Sequence, residues 1–229
     1  MENIFIILLG LTMLYISSTS RLLAHINMLV VQGILLFLIC IFGVSNEEWF
    51  NLGLFSNIKQ NIHHIAGLLF ILIETLVVKS IVIPIFLKKV LNKTHAHRDS
   101  EANIAHFYAL VISSVILFSG FMIAHLKSPS LGLISPMIFG VSLSIIIISL
   151  WMITIKKTVL SNVISFITME NGIFLLSLAI AKEMPIIVNL GVLLDIFIAV
   201  FILGMIVKEI NVEFKDLEVA QLSDLKDCE

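Results

Sequence analysis

Long apolar segments separated by short polar breaks run through most of this chain. Seven of these segments are predicted to be membrane-spanning helices, because a spanning helix needs about 20 mainly apolar residues. They are Ile4 to Ser18, Leu22 to Val44, Ile65 to Leu87, Ala105 to Leu126, Leu131 to Ile155, Val159 to Ala181 and Pro185 to Val207. The pattern predicts an all-α integral membrane protein, with a transmembrane domain at 1–210 and an acidic cytoplasmic tail at 211–229.

The basic residues predict how these helices are oriented. Ten Lys and Arg residues fall in the loops after the first, third and fifth segments and in the tail, whereas only Lys59, Lys127 and Lys182 fall on the other side. Basic loops remain in the cytoplasm. The N-terminus is therefore predicted to lie outside and the C-terminus inside, in a multi-pass protein of the cell inner (cytoplasmic) membrane.

A weak internal similarity raises the possibility of a repeat. Ile71-Leu72-Ile73-Glu74 in the third segment matches Val192-Leu193-Leu194-Asp195 in the seventh, and a second short match relates the second segment to the sixth. Units 1–90 and 131–210, joined by a linking helix at 105–126, would then form a parallel 3+1+3 repeat. Coincidence between segments rich in Leu and Ile is the alternative.

Two acidic residues, Glu170 and Asp195, lie deep inside the last two apolar segments. Glu170 is thirteen residues from Lys157, and Asp195 is thirteen residues from Lys208. Both acids are therefore about 20 Å from the basic helix ends, near the middle of the hydrocarbon layer. The short connection Lys182-Glu183-Met184 makes the two helices antiparallel neighbours. Carboxylates at this depth are typical of a proton or ion path, although a protonated or paired acid that only fixes packing is the alternative.

Lys79 is the cation of the third segment, nine residues before Lys88. At that depth a lysine needs a partner inside the protein. Glu74 is five residues earlier, a spacing that suits a helix with a π-bulge, and Pro84 predicts local irregularity just past Lys79. Glu74 and Lys79 are either further members of the proton path or a structural pair.

Composition excludes several other functions. The chain is 59% apolar and 13% charged, with a net charge of -2, which gives no reason to expect nucleic acid as a partner. The two cysteines form no Cys-x-x-Cys pair, and His95 and His97 are interpreted as solvated loop histidines rather than as a metal site. The sequence has no phosphate-binding loop and no nucleophile–base motif. We therefore expect no catalytic residue, cofactor or metal in this chain.

Taken together, these residues resemble component E of hydrogenase 4. The similarity extends over the full length and is carried by Thr168-Met169-Glu170-Asn171-Gly172, by Leu194-Asp195-Ile196-Phe197-Ile198-Ala199-Val200, by Lys79 with Pro84, and by the tail from Leu217 to Lys226. That family is related to the K-type subunit of proton-pumping NADH:quinone oxidoreductase and the C-type subunit of multisubunit cation/proton antiporters. The K-type subunit resembles only the last three segments; it has a glutamate where this chain has Asp195, and an Asn-Ala step that this chain lacks.

The resemblance implies a non-catalytic subunit in the membrane arm of a group 4 [NiFe]-hydrogenase-like or related respiratory complex. Its partners would be antiporter-like membrane subunits and other subunits of the complex, with the redox centres elsewhere. Glu170 and Asp195 match the two carboxylates on the proton route of the K-type subunit. The alternatives are a structural spacer in the same kind of membrane arm and, from a different class, a free-standing secondary transporter.

Overall fold

The computed structural model describes residues 2–44, 73–94, 106–131, 136–156 and 158–180. The regular elements in these ranges are all helical: α1 (Glu2–Ser18), α2 (Leu22–Val44), a π-helix (Glu74–Val82) that continues directly into α3 (Ile83–Thr94), α4 (His106–Leu131), α5 (Pro136–Ile155) and α6 (Val159–Ile180). All of them belong to one unit, Met1–Val192. The prediction of an all-α protein is confirmed for the described residues.

Four helices are long and apolar enough to cross a membrane. These stretches are Leu22–Phe42, Phe107–Leu126, Pro136–Ile155 and Leu160–Ala179, and Asn3–Ser18 is a shorter apolar helix. Such a set is typical of a multi-pass membrane protein. The predicted seventh helix, residues 65–72 of the predicted third helix, and the tail lie outside the described residues, so the count of seven spans and the repeat remain predictions.

Three helix ends differ from the predicted ends of the apolar segments. The third helical region continues to Thr94 rather than ending at Leu87, and α4 continues to Leu131, so that α5 begins at Pro136. Apolar runs mark the part of a helix that suits hydrocarbon, whereas lysine, a good helix former, carries α3 further. Proline is favoured in the first turn of a helix, because the amide hydrogen that it lacks has no partner there. Pro136 is therefore a stronger start signal for α5 than the first apolar residue.

The apolar core lies where α1, α2, α5 and α6 meet. Fully or almost fully buried side chains from all four helices pack together there, among them Leu9 and Met13 of α1, Leu36 of α2, Ile145 of α5 and Leu175 of α6. α1 also packs against α4, and α2 packs against the π-helix, α3 and α6. Apart from α3, α2 is therefore the described helix with the most extensive packing against the π-helix.

α4 lies at the edge of this bundle, against α1 and α5. Its outer surface exposes large apolar side chains, including Phe107, Val115, Phe118 and Leu126. Such a surface suits contact with lipid tails or with another membrane protein.

α4 and α5 approach each other through two glycines, Gly120 and Gly140. A Cβ atom added to Gly120 would lie 2.5 Å from the carbonyl oxygen of Gly140 and would also collide with Ser144. Small residues allow helices in a membrane to pack with their backbones close together. The position of α4 therefore depends on these glycines.

We expect Gly120→Ala to lower the thermal unfolding midpoint of the protein in lipid nanodiscs. Overpacking of a tight contact costs about 1 to 3 kcal/mol. Gly10→Ala is the matched control, because its added Cβ would lie 3.3 Å from the movable Leu117 side chain. Equal midpoints for the two variants would contradict the assigned α4–α5 contact.

Candidate functional site in the helix bundle

Lys79 and Glu170 form a buried ion pair. The Lys79 Nζ atom, on the π-helix, lies 4.0 Å from Oε1 of Glu170, on α6, and the two side chains are only 3% and 7% exposed. Glu170 is near the middle of α6, in a stretch long and apolar enough to span a membrane. Each charge therefore offsets part of the desolvation cost of the other, and removing one partner would take this compensation away from a charge that remains buried.

The ring of Phe174 gives the lysine a second favourable contact. The Lys79 Nζ atom lies 4.8 Å from the centroid of this ring, within the range of a cation–π interaction. Phe174 follows Glu170 by one helical turn, so both groups can meet Lys79 from the same side of α6. α6 thus supplies both a carboxylate and an aromatic face to a single ammonium group.

Gln32 connects three helices beside this pair. Its Nε2 atom donates hydrogen bonds to Oγ1 of Thr12 at 3.0 Å and to Sδ of Met13 at 3.1 Å, both on α1. Its Oε1 atom accepts a hydrogen bond of 3.3 Å from Nδ2 of Asn171, the residue after Glu170. Gln32 is fully buried. Because a buried amide is costly unless it is hydrogen-bonded, this network holds α6 in register with α2 and α1.

The backbone of the π-helix determines which of its residues point inward. The amide of Ile83 donates to the carbonyl of Val78, five residues earlier, as in a π-helix. Pro84 has no amide hydrogen to continue this ladder. Thr75, Lys79 and Ser80 are buried in this segment, whereas apolar residues such as Ile81 are exposed. The irregularity that the sequence predicted near Lys79 is therefore present as a π-helix.

Gly33 allows α2 to approach this segment closely. A Cβ atom at Gly33 would lie 2.5 Å from Oγ of Ser80 and 3.1 Å from its backbone nitrogen. The π-helix and α2 are thus in backbone contact next to Gln32. This contact places Lys79 and Ser80 at the junction of the π-helix with α2 and α6.

A second buried polar contact lies where α1 joins α2. The carbonyl oxygen of Thr19 is 3.0 Å from Nε2 of His25 and accepts a 3.5 Å hydrogen bond from Nζ of Lys156. Both side chains are buried. The connection between α1 and α2 is therefore attached to the end of α5.

Of the four sequence-predicted site residues, the structure brings Lys79 and Glu170 together. The side chain of Glu74 and the whole of Asp195 lie outside the described residues, so the Glu74–Lys79 and Glu170–Asp195 pairs remain predictions. The Lys79–Glu170 pair was not predicted. Spacing along one helix suggested Glu74 as the partner of Lys79, whereas the observed partner, Glu170, lies on a different helix, α6.

Sequence reasoning also missed the roles of Gln32, Ser80 and Asn171. Each is a polar residue inside a long apolar run, and that position was the available signal, since a polar side chain in such a run needs a partner. Which partner it finds depends on helix packing that the sequence does not reveal.

The Lys79–Glu170 pair can exist in two protonation states of equal net charge. A proton can reside on the ammonium, leaving a carboxylate, or move to the carboxylate, leaving a neutral amine and a neutral acid. In a low-dielectric interior the balance between these states responds strongly to nearby charge. Among the described residues, no group of three or more His, Cys, Asp or Glu side chains could hold a metal ion.

Comparison with known proteins finds a similarity to the uncharacterized protein Rv0085 of Mycobacterium tuberculosis. The two sequences are 23% identical over 159 residues, which cover 68% of this chain and 71% of that protein. No family model matches the chain, and no solved structure matches it.

We expect Lys79→Met and Glu170→Gln to be strongly non-additive. Each single change removes the counter-charge that the other member of the pair has in this contact, at a cost of about 3 to 5 kcal/mol, and the second change removes the remaining charge. Thermal unfolding of both single variants and the double variant in nanodiscs measures the coupling.

A second double-mutant cycle, which combines Lys79→Met with Glu74→Gln, tests the Glu74–Lys79 pair that was predicted from the sequence. Strong coupling of Lys79 to Glu170 supports the observed contact. Additive losses for Lys79 and Glu170, together with coupling to Glu74 alone, would show that the lysine has a different partner.

Proposed function

We propose that this chain is an integral subunit in the membrane arm of a group 4 [NiFe]-hydrogenase-like or related respiratory complex, and that it contributes to proton translocation through buried carboxylates. The observation that carries the proposal is the Lys79–Glu170 pair, buried in a bundle of apolar helices. Ionisable residues at such depth are costly and mark ion or proton paths. The family resemblance supplies the kind of complex.

The arrangement in the membrane is part of the same proposal. Seven helices cross the inner membrane with the N-terminus outside, because the basic residues are concentrated on one side of the predicted spans. The exposed apolar surface of α4 supports contact with antiporter-like subunits or with lipid.

In this account Glu170 exchanges a proton with Lys79 on one side and with Asp195 on the other. The pair with Lys79 rests on the observed 4.0 Å separation of Nζ and Oε1. The pair with Asp195 rests on the equal distance of both acids from the basic helix ends. A proton arriving at either neighbour would shift the charge balance of the next group.

A structural spacer in the same membrane arm is the second candidate, and a specific observation favours it. Gln32 and Asn171, next to Glu170, hold three helices together through hydrogen bonds. In such a protein, Lys79 and Glu170 would be a fixed internal brace without proton transport.

We expect Glu170→Gln and Asp195→Asn each to lower proton movement at least tenfold while the complex still assembles. Amides retain size and hydrogen bonding but cannot exchange a proton, and a positioned acid–base group contributes about 10²- to 10⁴-fold to a proton-transfer step. Proton uptake is measured in vesicles that contain the whole complex. The double variant should be little worse than either single variant, because groups that act in series are non-additive.

Two comparisons separate the candidates. Glu183→Gln, in the short predicted connection between the last two segments, is the matched control and should leave proton uptake unchanged. A spacer would tolerate Glu170→Gln but lose assembly with Glu170→Leu. Undiminished proton uptake with Glu170→Gln would end the transport proposal for that residue.

A further inference from the structure

Three buried oxygen atoms around the Lys79–Glu170 pair have no hydrogen-bond partner in the part of the chain that the structure describes. They are Oγ of Ser80, Oε1 of Glu170 and Oδ1 of Asn171. The three residues are only 6%, 6% and 2% exposed. A buried polar atom without a partner costs about 1 to 3 kcal/mol, so three of them near one junction indicate a ligand that can bond to them.

The three residues are placed around one junction by independent contacts. Ser80 contacts Gly33 of α2, because a Cβ atom added to Gly33 would lie 2.5 Å from Oγ of Ser80. Asn171 donates to Gln32, the residue before Gly33. Glu170 is adjacent to Asn171 and is paired with Lys79, which is adjacent to Ser80. The π-helix and α6 therefore contact α2 at the neighbouring residues Gly33 and Gln32.

The chemistry of the three atoms defines the ligand. Carboxylate and amide oxygens only accept hydrogen bonds, whereas a serine hydroxyl can also donate one. A water molecule can donate to Glu170 and Asn171 and accept from Ser80, and buried waters typically make about three such bonds. A metal cation would be repelled by the ammonium group of Lys79, 4.0 Å from the Glu170 oxygen.

We propose that this junction is a binding site for a water molecule held by Ser80, Glu170 and Asn171. The separation of Lys79 Nζ from Glu170 Oε1, 4.0 Å, exceeds the 2.7 to 3.2 Å of a direct hydrogen bond. A bridging water commonly fills a polar gap of that size. Ser80 and Asn171 are positioning residues, because they orient the water and do not exchange protons themselves.

The water has a defined role in proton transfer, and this role rests on the proposed function. The water accepts a proton from the Lys79 ammonium as it gives one of its own protons to the Glu170 carboxylate. An O–H bond of the water breaks as a new O–H bond forms on it. The step ends with a neutral amine, a neutral acid and an intact water molecule, so that no net charge is created.

The site itself is tested by an experimental structure of the full chain in lipid nanodiscs, at a resolution that shows ordered waters. We expect a density peak about 2.7 to 3.2 Å from each of the three oxygens, and a weaker or absent peak in Ser80→Ala. The absence of a peak in the unaltered protein, or a rotation of the three side chains onto one another, would overturn the proposal.

The role of the water is tested by proton uptake in vesicles holding the whole complex. Ser80→Ala and Asn171→Leu should each lower uptake at least threefold. Ser113→Ala is the matched control and should leave uptake unchanged. Ser113 is also fully buried, and its Oγ also has no hydrogen-bond partner within the described ranges, but it lies on α4. A water peak in the unaltered protein, together with normal proton uptake in Ser80→Ala, would support the binding site but overturn the role of the water in proton transfer. Loss of uptake in Glu170→Gln is a separate result, which bears on the proposed function alone.

Discussion

The pairing of opposite charges in a low-dielectric interior is the constraint on which the rest of this structure depends. Lys79 and Glu170 are both buried, and Glu170 lies in a helix apolar enough to span a membrane, where a single charge would cost several kcal/mol. The π-helix carries Lys79 inward, and α6 places Glu170 and Phe174 next to it. Gly33 allows the backbone of α2 to approach the backbone of the π-helix closely. The polar network of Gln32 fixes the register in which the two charges meet.

The same features that stabilise the bundle also give it a capacity for change. A fully apolar contact between these helices would have one preferred state, whereas a lysine–carboxylate pair has two states that differ only in the location of a proton. Buried polar groups that are fully hydrogen-bonded make a structure specific. Oγ of Ser80 and Oδ1 of Asn171, which have no hydrogen-bond partner within the described residues, are the atoms to which the proposed water would bond.

Hydrophobic patterning was sufficient to predict the helical fold and to identify Glu170 and Lys79 as buried ionisable residues. It could not predict their partnership, because spacing relates residues of one helix or of consecutive helices, whereas Lys79 and Glu170 meet only through the packing of the π-helix against α6. Gln32 and Asn171 attracted no site prediction, since a polar residue in an apolar run has a role only once its neighbours are known. The predicted partners of these charges, Glu74 and Asp195, follow from spacing alone.

Distance measurement by solid-state NMR in lipid bilayers tests the central claim most directly. A protein labelled with ¹⁵N at Nζ of Lys79 and ¹³C at Cδ of Glu170 reports the separation of these two atoms. Because Nζ lies 4.0 Å from Oε1 and a carboxyl C–O bond is about 1.2 Å long, the account predicts a dipolar coupling that corresponds to no more than about 5.2 Å. A separation beyond about 7 Å, too far for one water molecule to bridge, would contradict it.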